Sequence, residues 1–161
     1  MTDKPKRSPI SRNMRRCVQA HMHCGCHVHN CTLSTHDLAT IGAKHFHAGE
    51  KLSLGRSCGS VVTMVSGGRS IYGLVQKFVR VICACDRFID FAIVGWLPFP
   101  YYPDSDPLTV TIQLNGLDVN NIAVHQLVPL YDIQPSRVAV EIDTRHDCLY
   151  MLRIEGLDVM P

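Results

Sequence analysis

A chain of 161 residues with 46% hydrophobic and 19% charged residues has an ordinary globular composition, enough for one domain with an appendage or two very small ones. No apolar run reaches the ~18–20 residues that a membrane helix needs, and the charged N-terminus lacks the apolar core of a secretory signal. The expectation is therefore an intracellular protein. The net charge of +2 hides a split. Residues 1–16 carry six cations against Asp3, a charge of +5, while residues 100–161 carry nine acids against three arginines, a charge of −6. A basic arm on a mildly acidic body is the simplest reading.

The arm, residues 1–16, has two prolines and no hydrophobic period, so it reads as disordered. Its cations are Lys4, Lys6, Arg7, Arg12, Arg15 and Arg16. These could neutralise nucleic-acid phosphates or, through Lys4-Pro5-Lys6-Arg7, act as a nuclear-import signal; the alternative is a solvated basic tail. No aromatic residue interleaves with them, which leaves base stacking unsupported.

Residues 17–58 form a Cys/His-rich segment expected to be largely irregular. Of eight cysteines, Cys17, Cys24, Cys26 and Cys31 crowd together with His21, His23, His27, His29 and His36. In a reducing compartment such crowding points to metal rather than disulfides. Zinc needs four thiolate or imidazole ligands in a tetrahedron, and Cys17, His21, Cys24, Cys26 and Cys31 are the candidates. Cys17 and His21 are spaced i, i+4, as on one helix face. The usual Cys-x2-Cys pair is missing, so a His-rich tract that holds metal loosely or not at all stays open. Cys58, Cys83, Cys85 and Cys148 sit among apolar residues and read as small buried hydrophobes; Cys83 and Cys85 are expected on one strand face. Leu38–Ile41 could be a helical turn or a short strand.

From about residue 59 a period of two takes over. Strands are expected over Ser60–Val65, closed by the Gly67-Gly68 turn, over Ser70–Cys83 with a bend or bulge near Gly73, and over Phe88–Leu97. Others follow over Leu108–Leu114, ended by Asn115-Gly116, and over Ile122–Leu130, Arg137–Ile142 and Cys148–Ile154. Thr144–Asp147 reads as a polar hairpin turn. About seven short strands make residues 59–161 an all-β barrel or sandwich.

Three segments in order carry a family resemblance: Val75–Val81, then Val94-Gly95-Trp96 with Pro98, then Val128-Pro129-Leu130 with Ile133. Together they resemble the bromo-adjacent homology (BAH) domain, over about residues 60–142, and are similar to BAH-like regions of proteins encoded in mobile elements. The resemblance implies a small β-barrel that binds chromatin or another protein. Two departures from the family pattern are the absence of its Arg after Trp96, where Leu97 and Pro98 stand, and of its acidic segment between Leu108 and Leu127.

In the body, Trp96, Phe99, Tyr101 and Tyr102 could surround a methylated ammonium or a peptide tail through cation–π attraction; alternatively Trp96 and Phe99 close one end of the barrel. No nucleophile elbow, phosphate loop or His-Glu-x-x-His is present, so an enzyme is not expected. The functional expectation is a non-catalytic module that binds chromatin or protein, with a basic arm contacting nucleic acid. The alternatives are a zinc-dependent nucleic-acid reader built on the Cys/His cluster, and a fragment of a mobile-element protein without function of its own.

Overall fold

The computed structural model describes residues 7–9, 12–22, 25, 31–52, 59–101, 109–135 and 138–153. They form an all-β fold with one short helix, α1 (Arg12–His21). The strands are β1 (Arg7–Pro9), β2 (Thr32–His36), β3 (Leu38–Ile41), β4 (Lys44–His47), β5 (Val61–Ser66), β6 (Arg69–Ile82) and β7 (Phe88–Trp96). After them come β8 (Thr109–Gln113), β9 (Gln126–Pro129), β10 (Ile133–Gln134), β11 (Val138–Asp143) and β12 (Cys148–Arg153).

β6 organises the rest. One of its edges takes β5 along the first half and β2 along the second, and the other edge takes β7 from Gly73 to Ile82. β1 extends this sheet beyond β2, β10 beyond β5, and β9 beyond β7. A second sheet has the order β11-β12-β8, and β3–β4 is a separate hairpin. All pairings are antiparallel.

The turns follow from local chemistry. Gly67 and Gly68, at φ 59° and 78°, give the two-residue turn whose twist matches the β5–β6 hairpin. Gly42, at φ 61°, opens the Gly42-Ala43 turn of the β3–β4 hairpin. Asn115 and Gly116 also adopt positive φ, and Leu117 N–H donates to the Leu114 carbonyl at 3.0 Å. That turn leads out of the sheet rather than into a hairpin, because β8 pairs with β12.

Three apolar cores result. Tyr72 and Leu74 of β6 join Val61, Ile112, Leu149 and Met151 between the two sheets. Val75 and Phe78 join Ala92, Val94, Ile41 and Phe46 beneath the β3–β4 hairpin. Val79 and Val81 join Leu33, Phe91 and Val18 beneath α1. One strand feeds three cores because its side-chain parity changes. A bulge at Gln76, between the pairs Val75↔Val94 and Lys77↔Ile93, inserts one residue. The irregularity expected near Gly73 thus lies three residues later, where two polar residues follow each other. Gly73 answers a different need: a Cβ there would stand 2.4 Å from Val94 Cγ1 and 2.8 Å from Trp96 Cε3.

The other sequence-predicted strands fall where expected, and β10 adds a short one between them, with further differences elsewhere. Residues 118–125, expected to begin a strand at Ile122, are turns and irregular chain; Val119 and Ile122 plug the first core without pairing, and the strand starts at Gln126. β2 and β4 lie in the stretch expected to be largely irregular, with β2 pairing with β6 over five residues, while Leu38–Ile41 takes the strand alternative as β3. β1 and the first half of α1, residues 12–16, lie where disorder is expected; Met14, Cys17 and Val18 of α1 find an apolar sheet face to cover. Cys83 and Cys85 do not share a strand face. They belong to the β6–β7 turn, in which Asp86 takes φ 65°, with Cys83 buried and Cys85 exposed. Cys148 is buried and Cys58 lies outside the described residues.

The β11–β12 turn is held by Asp143. Its Oδ1 accepts from the backbone N–H of Arg145 and of His146, and its Oδ2 accepts from Tyr150 Oη at 3.1 Å and meets His146 Nδ1 at 2.7 Å. The hydrogen bond with His146 is the main reason the Asp143 carboxyl lies below its ordinary 3.8, and Tyr150 titrates above its usual range. A carboxylate with a depressed folded-state pKa stabilises above its unfolded value and stops doing so as pH falls through the folded value.

Two outcomes are expected. Gly73→Ala lowers stability by roughly 1–3 kcal/mol through overpacking against Val94 and Trp96, read from urea unfolding midpoints. Asp143→Asn is less stable than the parent at neutral pH, and the gap closes as pH drops below about 3.8, read as thermal midpoints across an acid series.

Candidate functional site

The sheet β2-β6-β7-β9 has two faces with different covers. On one, α1 lies over Leu33, Val79, Val81 and Phe91. On the other, the β3–β4 hairpin covers Phe78, Ala92 and Val128 but stops short of Arg80 and Asp90. The step between hairpin and sheet is a groove of about 370 Å³, lined by His36, Leu38, Ala39, Thr40, Phe78, Val79, Arg80, Asp90 and Leu130.

Register explains the charges in it. Ser34, Arg80 and Asp90 are directly opposite one another across β2, β6 and β7, so they share a face. Arg80 Nε and Nη2 donate to the two Asp90 oxygens at 2.8 and 3.0 Å, a bidentate pair. The Arg80 guanidinium also lies 4.0 Å from the centre of the Phe88 ring. The bond to Asp90 raises the Arg80 pKa, with burial opposing it. Beside this pair His36 Nε2 is 2.9 Å from Ser34 Oγ, and at the start of β3 Lys77 Nζ meets Asp37 Oδ1. Sequence reasoning noted Asp90 as a possible acid/base group and Arg80 as an interruption of its strand, but did not pair them. The signal for them was Arg80 interrupting a β-branched run and Asp90 interrupting the next, equidistant from the connecting turn.

Of the sequence-predicted metal ligands, Cys17, His21 and Cys31 are described, and these three do not form one group. Cys17 and His21 do share one side of α1, as their spacing implies. Cys17 Sγ donates to the Leu127 carbonyl at 3.7 Å, and burial pushes its thiol up, away from the thiolate that a metal binds. His21 Nδ1 is 2.7 Å from Tyr131 Oη, and its ring packs edge-on against Phe91 and Tyr131. Cys31 is buried in the core beneath α1. Cys24 and Cys26 lie outside the described residues. Among the described residues, no group of three or more His, Cys, Asp or Glu could hold a metal ion.

The basic candidates divide. Arg12 and Arg16, one turn apart, are exposed on the outer side of α1. Arg15 is half-buried, and its Nε is buried without a hydrogen-bond partner. Arg7 is in β1, and Lys4 and Lys6 lie outside the described residues. The aromatic candidates also divide. Trp96 packs on the core beneath the hairpin and donates its indole N–H to Gln126 Oε1 at 2.8 Å. Phe99 is 79% exposed, and Tyr101, 68% exposed, is pinned to Thr111 of β8 by a backbone bridge. Tyr102 lies outside the described residues. No helix among the described residues is long and apolar enough to cross a membrane.

Comparison with protein-family models, with curated proteins and with solved structures finds no match to this chain.

The Arg80–Asp90 pair is half exposed, so its contribution to stability is modest and screened. A double-mutant cycle with Arg80→Met and Asp90→Asn is expected to give a coupling of about 0.5–1 kcal/mol at low salt, shrinking as salt is added.

Proposed function

We propose that the protein is a non-catalytic binding module: its β body engages a protein partner, in chromatin, while its basic N-terminal segment contacts nucleic-acid phosphates. The observation that carries this reading is the division of α1. Met14, Cys17 and Val18 fix the helix against the sheet, and Arg12 and Arg16 stand outward from that fixed frame. A cation held on a docked helix loses less freedom on meeting a phosphate than one on a loose tail. The first turn of α1 contains no acidic residue. Its arginines therefore stand at the positive end of the helix dipole, where an anion relieves an unfavourable arrangement. The BAH resemblance is the reason for naming chromatin: its three segments fall on β6, on β7, and on β9 with β10.

The test is titration of a labelled short DNA duplex by fluorescence anisotropy over a range of salt concentrations. The logarithm of the affinity is expected to fall linearly with the logarithm of salt. Arg12→Ala with Arg16→Ala should flatten the slope by roughly 0.9 for each phosphate that is no longer neutralised. No binding at low salt, or an unchanged slope in the double variant, refutes the role given to α1. Binding that a zinc chelator abolishes would instead favour the Cys/His cluster as the reader.

A further inference from the structure

The geometry points to an extended polypeptide as the occupant of the groove, added as a strand to the outer edge of β3. This rests on the protein-binding half of the function proposed for the β body and names its kind of partner.

Backbone parity supports this occupant. The Gly42-Ala43 turn closes the hairpin at Ile41↔Lys44, and Asp37 O accepts from Ala48 N–H at 2.7 Å. Residues 37, 39 and 41 therefore spend their backbone groups on the β4 side, and Leu38 and Thr40 aim theirs outward. On the far side of the hairpin, His47, the register partner of Leu38, sends its N–H to the Gly59 carbonyl at 3.1 Å. Among the described residues, the ladder thus continues past β4 and stops at β3. Leu38, Ala39 and Thr40 line the groove. Two outward N–H and C=O sets, two residues apart at a spacing of roughly 6.8 Å, match the repeat of another extended backbone. A phosphate or compact small molecule satisfies one set at most.

β3 also lacks the devices that keep edges unpaired. Its sequence, Leu-Ala-Thr-Ile, has no charge, proline or bulge. Two of the other edge strands do carry such devices: β11 has Glu141 and Asp143, and β9 ends at Pro129. Leu38 is 51% exposed at the groove, apolar surface that an added strand would cover.

The charges select the residue that faces inward. In the groove Arg80 is neutralised by Asp90, and His36 is hydrogen-bonded to Ser34. An incoming charge would meet only occupied partners and would lose hydration without compensation. An uncharged residue fits, resting on Phe78 and Leu130. An amide side chain fits in addition the spare donors of Arg80 and the spare lone pairs of Asp90.

The experiment pans a phage-displayed random peptide library against the full chain. Thr40→Pro serves as counter-target, since proline deletes an outward N–H that the hairpin does not use. Thr40→Val is the control, because it removes the same hydroxyl from His45 but keeps the N–H. Enriched peptides are expected to be uncharged at their central positions. They should bind Thr40→Val like the parent and Thr40→Pro roughly tenfold more weakly, the value of one well-made hydrogen bond. They should also slow amide exchange at Leu38 and Thr40. If Thr40→Pro unfolds, N-methylation along a selected peptide replaces it: methyl groups on alternate residues should abolish binding in one parity and spare it in the other. Peptides that protect other amides, that carry charged centres, or that show no parity overturn the proposal, as does a library that yields no binder. Duplex DNA binding is measured on the same variants and should not change with Thr40→Pro, so the two readings fail separately.

Discussion

β6 must supply side chains to three cores, and a strand has only two faces. The extra residue at Gln76 resolves this. Before it, Tyr72 and Leu74 point into the core between the sheets while Val75 points beneath the hairpin. After it, Phe78 takes the face that Val75 had, and Val79 and Val81 serve the core beneath α1. With unbroken alternation, Phe78 would share a face with Leu74, and the hairpin and helix would each lose their apolar floor. A one-residue register change reverses every later side chain. The two polar residues Gln76 and Lys77 stand at the one place on the strand where adjacent residues need not alternate between cores. Gly73 belongs to the same solution: β6 and β7 cross there with Val94 and Trp96 against the backbone, and no side chain fits.

The position of the groove is a consequence. After the bulge, the even-numbered face of β6 is wide enough for the hairpin over Phe78 but continues to Arg80 and Ile82. Leaving that extension apolar would expose a patch on the sheet. An arginine bonded in two places to a carboxylate and stacked on Phe88 covers it while keeping its charge partly in water. A bare carboxylate there would be costly, and so would an unpaired guanidinium, which explains why the two stand directly across from each other.

The period-2 strands, the glycine turns and the polar β11–β12 hairpin were legible because each rests on contacts close in sequence. The strand β2 was not. Its inward residues include Ser34, which is buried yet polar, and its pairing with Phe78–Ile82 lies more than forty residues away. The helix was hidden for a related reason. Arg12–His21 is only ten residues long, too short to hold as an isolated helix, and it is held by the sheet face that β2, β6 and β7 assemble. The cluster of cysteines and histidines was conspicuous as composition, yet position divides it: Cys17 and Cys31 serve as core residues, and His21 pairs with Tyr131. The aromatic run divides in the same way, Trp96 going inward and Phe99 outward, because the strand ends between them at Trp96. Arg80 and Asp90 could be seen one at a time; only register makes them a site.

The basic face of α1 and the groove lie on opposite sides of one sheet, and this sets how their ligands interact. A polyanion on Arg12 and Arg16 would neither block the groove nor meet its charges directly, since Arg80 is already paired with Asp90. The two surfaces also differ in physics. Contacts to α1 are between exposed charges in water and weaken with salt. Contacts of the proposed strand in the groove would be backbone hydrogen bonds and apolar burial, which salt hardly screens. A partner presenting a polyanion and an extended peptide on one body would engage both sides, the second contact gaining from the effective concentration that the first creates. The connecting stretch of such a partner has to pass around the edge of the sheet. Spacing between the two elements, rather than the strength of either, then decides which partners are held by both.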